Sequence, residues 1–522
     1  MPDEVRVQSN LTRVNKVKMK KYFKQFIFGL IFLSGFLVWG NAMAACTWNG
    51  NTGTVAAPYD HINVAECITD ASNKTGDVII QIPNCNVTWD EIVTIDMSDW
   101  SNVTSLTIKG ENKTDTIITS GSWTVTTETD KKFRISNMTI NGPVLGSYGA
   151  AVVIYGNTKP SLGGGFRIDN INFRSESEPN GRAIFIDGDT FGLIDSIDSE
   201  WYGQFSIVYT KIANASWAAD DTFGTADAVY LENSRITNNH ATQKMIMDHW
   251  DGARIVIRYN TISGHYFGGH DNLDGLRSNR QWEFYNNEIH TSSSWGMPLF
   301  ALRGGTGYVF NNQMISTVAN PFFAPTQGIA LTNYRSWGKV STWCDNIAEK
   351  YCVVGSMKVC STDADCGGTA GSCQQEDGDI DGTGYPCRGQ IGRGKDQVSR
   401  PALFWNNTVK IQDDDPQLIG AMVNDNCIED SAETECNPLA IASGNSRWMA
   451  ENHIKENRDY CNGTTMPSLC NGVITDYSVY TCPHPLAGLT GSCDSDVSGT
   501  AGYNVGGGDV VAPASPTGLS VQ

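Results

Sequence analysis

A short motif that recurs between residues 229 and 410 constrains this chain more than any other feature. An apolar stretch ends in Asn, and a hydrophobe follows two positions later. The copies read Arg254-IVIRYNTI-Ser263, Gln281-WEFYNNEI-His290, Gly307-YVFNNQM-Ile315 and Ala402-LFWNNTV-Lys410. The marker hydrophobes Ile262, Ile289 and Met314 are 27 and 25 residues apart, and a looser copy, Val229-YLENSRI-Thr237, sets Ile236 26 residues earlier. Fainter copies begin at Phe133 and Phe166. A unit this short cannot bury its own apolar face, but stacked copies bury each other's, which is the logic of a solenoid. The strands are rich in β-branched and aromatic residues and lack helical periodicity. A spacing of about 26 is too short for propeller blades of about 40 residues and fits a β-helix with several short strands per coil. Asn at the same corner of each coil can bond its turn backbone and accept a left-handed conformation.

The segment before the repeats agrees. Residues 59–71 (YDHINVAECITDA) have the spacing of one short helix. Thr75-Gly76-Asp77-Val78-Ile79-Ile80-Gln81-Ile82-Pro83 then reads as a first strand. With this opening and the N-x-hydrophobe coils, residues 60–420 resemble the pectate-lyase-like superfamily of right-handed parallel β-helix proteins. The strings Arg303-Gly304-Gly305-Thr306, Gly384-Tyr385-Pro386-Cys387 and Gln390-Ile391-Gly392-Arg393-Gly394 are similar to those of uncharacterised secreted bacterial members. The resemblance implies an all-β solenoid with an N-terminal capping helix that hides the open strand edge. It specifies no activity, because one fold hosts many.

The predicted organisation is a signal peptide over 1–44, a capped β-helix over 45–340, a disulfide-rich insertion over 341–396 and a final coil over 397–424. A Cys-containing C-terminal cap over 425–500 and a linker-like tail over 501–522 follow. Lys16, Lys18, Lys20, Lys21 and Lys24 precede the apolar run Phe26–Trp39, and Ala42-Met43-Ala44 is a small-x-small cleavage site. Export predicts a secreted or cell-surface protein with no stable membrane span after cleavage. All 15 cysteines lie beyond the cleavage site, as in an oxidising compartment, and the odd number leaves one over. Met43-Ala44-Ala45-Cys46 is weakly lipobox-like, but plain cleavage before Ala45 is the reading adopted. C-x2-C pairs are missing, so the cysteines do not read as zinc knuckles. The net charge of −19 argues against nucleic acid as a partner.

Ionisable residues crowd into 240–280, with Arg303 one coil on. At a 26-residue period Asp251, Arg277 and Arg303 fall in one column. The resemblance implies a glycan groove on such a face. A lyase acting on an acidic polysaccharide needs a base beside the uronate carboxylate and a cation to offset the charge that builds there. Lys244 and His270 are the candidate bases, and Arg277 and Arg303 the cations. Asp274, Arg280 and Trp295 are candidate substrate contacts. Arg254-IVIRYNTI also resembles a coil of alginate-lyase-type enzymes, in which a Lys precedes the Arg-Tyr-Asn-Thr string; here Asp251 stands in that neighbourhood, and the nearest Lys is Lys244. A hydrolase would draw its two carboxylates from Asp220, Asp221, Asp248, Asp251, Asp271 and Asp274. Arg254 and Arg258, inside a strand, read as ion-pair partners. Asp377, Asp379 and Asp381 alternate before Gly382 as in a calcium loop, while Arg388 at the twelfth position excludes a full EF-hand. This loop suggests calcium in a structural rather than catalytic role, the alternative being an acidic loop with no cofactor. Trp282, Tyr285, Tyr308, Phe310 and Trp405 read as stacked core aromatics, and Trp295, Trp337 and Trp343 as loop aromatics able to stack on sugars. The leading expectation is a glycan-binding or structural, adhesive β-helix. The alternative is a polysaccharide lyase or glycoside hydrolase using the 244–303 face.

Overall fold

The structure, a computed structural model, describes residues 45–128, 130–142, 149–156, 165–175, 181–202, 204–209, 220–238, 244–250, 252–269, 278–291, 299–316, 328–331, 350–352, 359–368, 370, 373–375, 389–395, 398–423 and 454–489. All of them belong to one compact unit spanning Ala44–Gln522.

The chain winds as a parallel β-solenoid. One coil runs from the strand Lys244–Trp250 through Arg254–Arg258, a corner and Thr261–Ser263, and the next begins at His265–Gly269. The first strand of each coil joins a ten-stranded sheet, and the other two join a 22-stranded sheet that folds at the corner. The marker hydrophobes stand opposite one another: Ile236 with Ile262, Ile262 with Ile289, Ile289 with Met314 and Met314 with Val409. All are buried in one continuous interior, where Phe267 stacks on Phe300 with ring centroids 4.6 Å apart.

Two adjacent corner positions divide the work. The first takes the left-handed conformation in coil after coil: Asn137 (φ 61°), Asn170 (51°), Asn233 (50°), Tyr259 (55°), Asn286 (54°), Asn311 (54°) and Asn406 (50°). Asn suits it because its short polar side chain tolerates that geometry. The second position points inward. Asn260 Nδ2 donates to Asn287 Oδ1 at 3.0 Å, Asn287 Nδ2 to Asn312 Oδ1 at 2.9 Å and Asn312 Nδ2 to Asn407 Oδ1 at 2.9 Å. All four residues are fully or almost fully buried. Each acceptor oxygen also takes the backbone N–H of the preceding coil's Asn, and Ser234 extends the column by donating its N–H to Asn260 Oδ1 at 3.0 Å.

The helix His61–Ala71 forms where expected. Asp60 caps it by accepting from Asn63 N–H at 2.9 Å. Its apolar side, Val64, Cys67, Ile68 and Ala71, packs on the first strands, and the Cys46–Cys67 disulfide ties it to the strand Cys46–Asn49. The sulfur of Cys46 is therefore engaged, which removes it from lipidation. Cys85 is the free cysteine among the described residues. Leu331 ends the last coil strand before the insertion, and the chain is back against the coil by Gly389–Gly392, where Gly392 N–H donates to Gly305 O at 2.9 Å, ahead of the strand Ala402–Trp405. Between them, Lys350–Cys352 pairs antiparallel with both Val359–Cys360 and Cys373–Gln375 in a separate small sheet. At the far end Tyr460–Gly463 pairs with Ala402–Trp405 and is stapled by Cys461–Cys470. No helix among the described residues is long and apolar enough to cross a membrane.

Asn287→Ala removes one acceptor and strands several buried donors and carbonyls, at a cost of about 2–4 kcal/mol. Asn406→Ala loses an exposed bond to Asn311 and a left-handed preference, costing about 1 kcal/mol. Urea unfolding midpoints of the two variants should rank in that order.

Candidate functional site

Alternation decides which side chains of the ten-stranded sheet face away from the interior. Phe267 and Phe300 point inward, so Gly268 and Ala301 point out. Register extends this outward column from Val153 through Phe185, Asp248, Gly268 and Ala301 to Ala330. Over the last three strands the column is nearly free of side chains. A Cβ at Gly268 would sit 3.1 Å from the Tyr266 ring, 3.2 Å from the Met245 methyl and 3.3 Å from Ala301 O, so a larger residue there would crowd its neighbours, and Gly268, Ala301 and Ala330 are themselves buried. Trp250 borders the track on one side and packs on Ala150, Val153 and Phe185 in an apolar cluster separate from the core.

Arg303 follows Leu302 on the same border, two strands from Trp250 and so about 10 Å away. It is 8% exposed, its Nε is buried without an acceptor, and it makes no hydrogen bond or ion pair with any described residue. A guanidinium so placed forgoes hydration without receiving a counter-charge, which costs free energy unless an anion supplies it.

The other predicted residues fare differently. Lys244 is half-buried at the opposite end of its strand, opposite His265. Counted along the neighbouring strand, it is five residues from the level of Arg303, about 16 Å. The structure does not bring these two together. Arg280 is fully buried, and its guanidinium donates to Asp221 Oδ1, so it is an ion-pair partner rather than a surface contact. Asp251, His270, Asp274, Arg277, Trp295, Trp337, Trp343, Asp377, Asp379 and Asp381 lie outside the described residues. His249 and His265 point into the interior and are wholly buried, and burial pushes each down to about 4, so both are neutral near pH 7. His249 Nε2 and Asn279 Oδ1 both lack partners and lie 2.6 and 2.5 Å from where a Cβ at Gly269 would stand. No group of His, Cys, Asp or Glu able to hold a metal ion occurs among the described residues.

The outer face of the larger sheet is closed. Tyr285, Phe310 and Trp405 stack in a column, with centroids 4.7 and 4.1 Å apart. They do stack, but outside the coil interior, under residues 475–489, which run back along the solenoid. Arg258 and Glu232, both fully buried, pair at 2.6 Å as expected from the strand position. Arg258 also donates to Tyr480 O at 2.7 Å and Thr481 O at 2.9 Å, while Glu232 accepts from His484 N–H at 2.9 Å. Glu283 accepts from Tyr477 Oη at 2.6 Å and Gly224 N–H at 3.1 Å, and Arg167 donates to Ala487 O at 3.0 Å. Sequence reasoning missed this strap, since nothing in 475–489 marks the residues some 200 positions earlier that it would meet. It also missed Asp187, an outward carboxylate in the ten-stranded sheet. A lone acid in the apolar run Ala183-IFIDG could have signalled it.

Compared with family models, with curated proteins and with solved structures, the chain gives no match.

Burial raises Glu283 from its ordinary 4.5 to about 7. Such an acid stabilises the fold fully below its unfolded value, and that contribution is lost as pH rises through the folded one. Asp195, raised to about 6 by burial, acts in the same direction, whereas His249 and His265 act in the opposite one. The stability difference between the native chain and Glu283→Gln isolates the Glu283 contribution. It should shift in favour of the variant by about 3 kcal/mol between pH 4.5 and 8 in chemical denaturation.

Proposed function

We propose that this is a secreted or cell-surface, pectate-lyase-like β-helix protein that binds an acidic polysaccharide along the outward track of its ten-stranded sheet. The observation that carries the reading is Arg303, a buried guanidinium without a counter-charge among the described residues, beside an outward column reduced to Gly268, Ala301 and Ala330. A uronate carboxylate supplies what Arg303 lacks, through charge-assisted and bidentate hydrogen bonds. Tyr266, half-buried beside Gly268, is an aromatic border of the kind that packs on sugar rings. Export is supported by the leader-like N-terminus and by disulfides at both ends of the solenoid.

Binding is favoured over lyase or hydrolase chemistry. A general base must reach the proton it removes. Lys244 stands about 16 Å along the sheet from Arg303, and the described histidines nearby point inward. Because the overall charge of −19 repels polyanions, the attraction must be local, which again places weight on Arg303.

Calorimetric titration with oligouronates and neutral oligosaccharides of equal length tests the reading. The native chain should prefer the uronates. Arg303→Gln should lose about 10- to 100-fold of that affinity, while Lys244→Ala retains it. Equal binding by Arg303→Gln, or no preference for uronates, would overturn the assignment. Release of unsaturated uronate by the native chain would replace binding with the lyase alternative.

A further inference from the structure

A second recess lies away from the track, where three distant segments meet at the edge of the strap. It is a cavity of about 290 Å³ lined by Asp221, Gly394, Lys395, Val398, Arg400 and Val473, with Ser399 beside them. We infer that it binds a small amphoteric molecule, an α-amino acid with an aliphatic side chain.

The two oxygens of Asp221 are not equivalent. Oδ1 accepts from the buried Arg280. Oδ2 has no hydrogen bond, and Arg400 Nε stands 3.8 Å from it, beyond hydrogen-bond distance. Arg400 Nε itself is buried without an acceptor. Arg400 is held from elsewhere, donating from Nη2 to Tyr308 Oη at 3.2 Å with its guanidinium 5.6 Å from the Phe223 ring. The recess thus presents a fixed carboxylate oxygen without a donor, close to a fixed guanidinium.

Gly394 keeps that oxygen accessible. A Cβ there would stand 2.9 Å from both Asp221 Oδ2 and Arg400 Cβ. No left-handed backbone angle demands glycine at this position, so space is the reason for it. Lys395 adds a second cation at the rim. Its partner Asp220 is 85% exposed, and a surface pair of this kind exchanges partners at little cost. Asp476 lies 4.0 Å from Arg400 and is 84% exposed. Val398 and Val473 supply apolar wall. Ser399 Oγ accepts from Asn471 Nδ2 at 3.2 Å, which ties the hairpin bearing Val473 to the loop.

An acceptor for an ammonium group, cations for a carboxylate and an apolar wall beside them match the three parts of such an amino acid. A simple fatty acid would leave Asp221 Oδ2 unsatisfied beside a second carboxylate, and an alkylamine would bring no carboxylate to the Arg400 guanidinium.

Ligand-observed NMR on the intact mature chain, with L-leucine, 4-methylpentanoate and 3-methylbutylamine as probes, tests this. Leucine should bind, and each analogue lacking one charged group should bind at least about 10-fold more weakly. Gly394→Ala and Asp221→Asn should both abolish leucine binding, although the clash with Arg400 Cβ in the first and loss of the Arg280 partner in the second can lower stability. Val473→Ser, at a half-buried wall position, is the deciding variant: its thermal melt should stay native while leucine affinity falls about 10-fold. Leucine binding unchanged in Val473→Ser or Gly394→Ala, equal binding of the des-amino analogue, or no leucine binding up to millimolar concentration would overturn the inference. None of these results bears on the Arg303 track.

Discussion

A side-chain amide carries two donors and an acceptor with two lone pairs, and the buried column Asn260, Asn287, Asn312 and Asn407 uses them between coils. Each amide links its own coil to the next while also donating to backbone carbonyls such as Ile257 O, Phe284 O and Val309 O. In a parallel solenoid a slip of one residue would reverse every side chain's face. The column makes that slip costly, since each displaced amide would leave buried groups unpaired. It holds Phe267 and Phe300 inside and Gly268, Ala301 and Arg303 outside.

Once register is fixed, the two outer faces diverge. On the larger sheet, bidentate pairs run along one column, Arg134 with Asp169 and Arg167 with Asp195, followed by Arg258 with Glu232. The strap then consumes the remaining polar capacity through Tyr477, Tyr480, Thr481, His484 and Ala487. Buried pairs this fully satisfied belong to structure, and removing one partner would strand the other. On the ten-stranded sheet Arg303 has no hydrogen bond or ion pair with any described residue. A guanidinium left over on one face, against guanidiniums paired on the other, is the physical contrast from which the proposed function follows.

The coil register was legible in the sequence because one polar residue at a fixed corner recurs with a hydrophobe at a fixed offset. What the sequence hid was the division of labour between neighbouring Asn residues: Asn286 supplies the turn and Asn287 the column, yet both are the same letter. The aromatic strands were legible as stacked but not as to side. Strands such as Arg254–Arg258 and Gln281–Tyr285 are buried on both faces, so their apolar content does not alternate. The candidate face was only partly legible. Linear spacing gave the coil of Lys244 and of Arg303 but not their heights along the strand, and it took Arg280 for a surface group because its partner Asp221 is 59 residues away.

The central claim is that the two faces have different tasks, one closed by the strap for stability and one carrying the unpaired guanidinium proposed to meet a glycan carboxylate. Hydrogen–deuterium exchange with and without a saturating oligouronate reads both faces at once. Protection gained at 265–269 and 299–303, with 477–487 unchanged, is the result this account predicts. Protection or release confined to 477–487 would place the ligand on the strap side and contradict it.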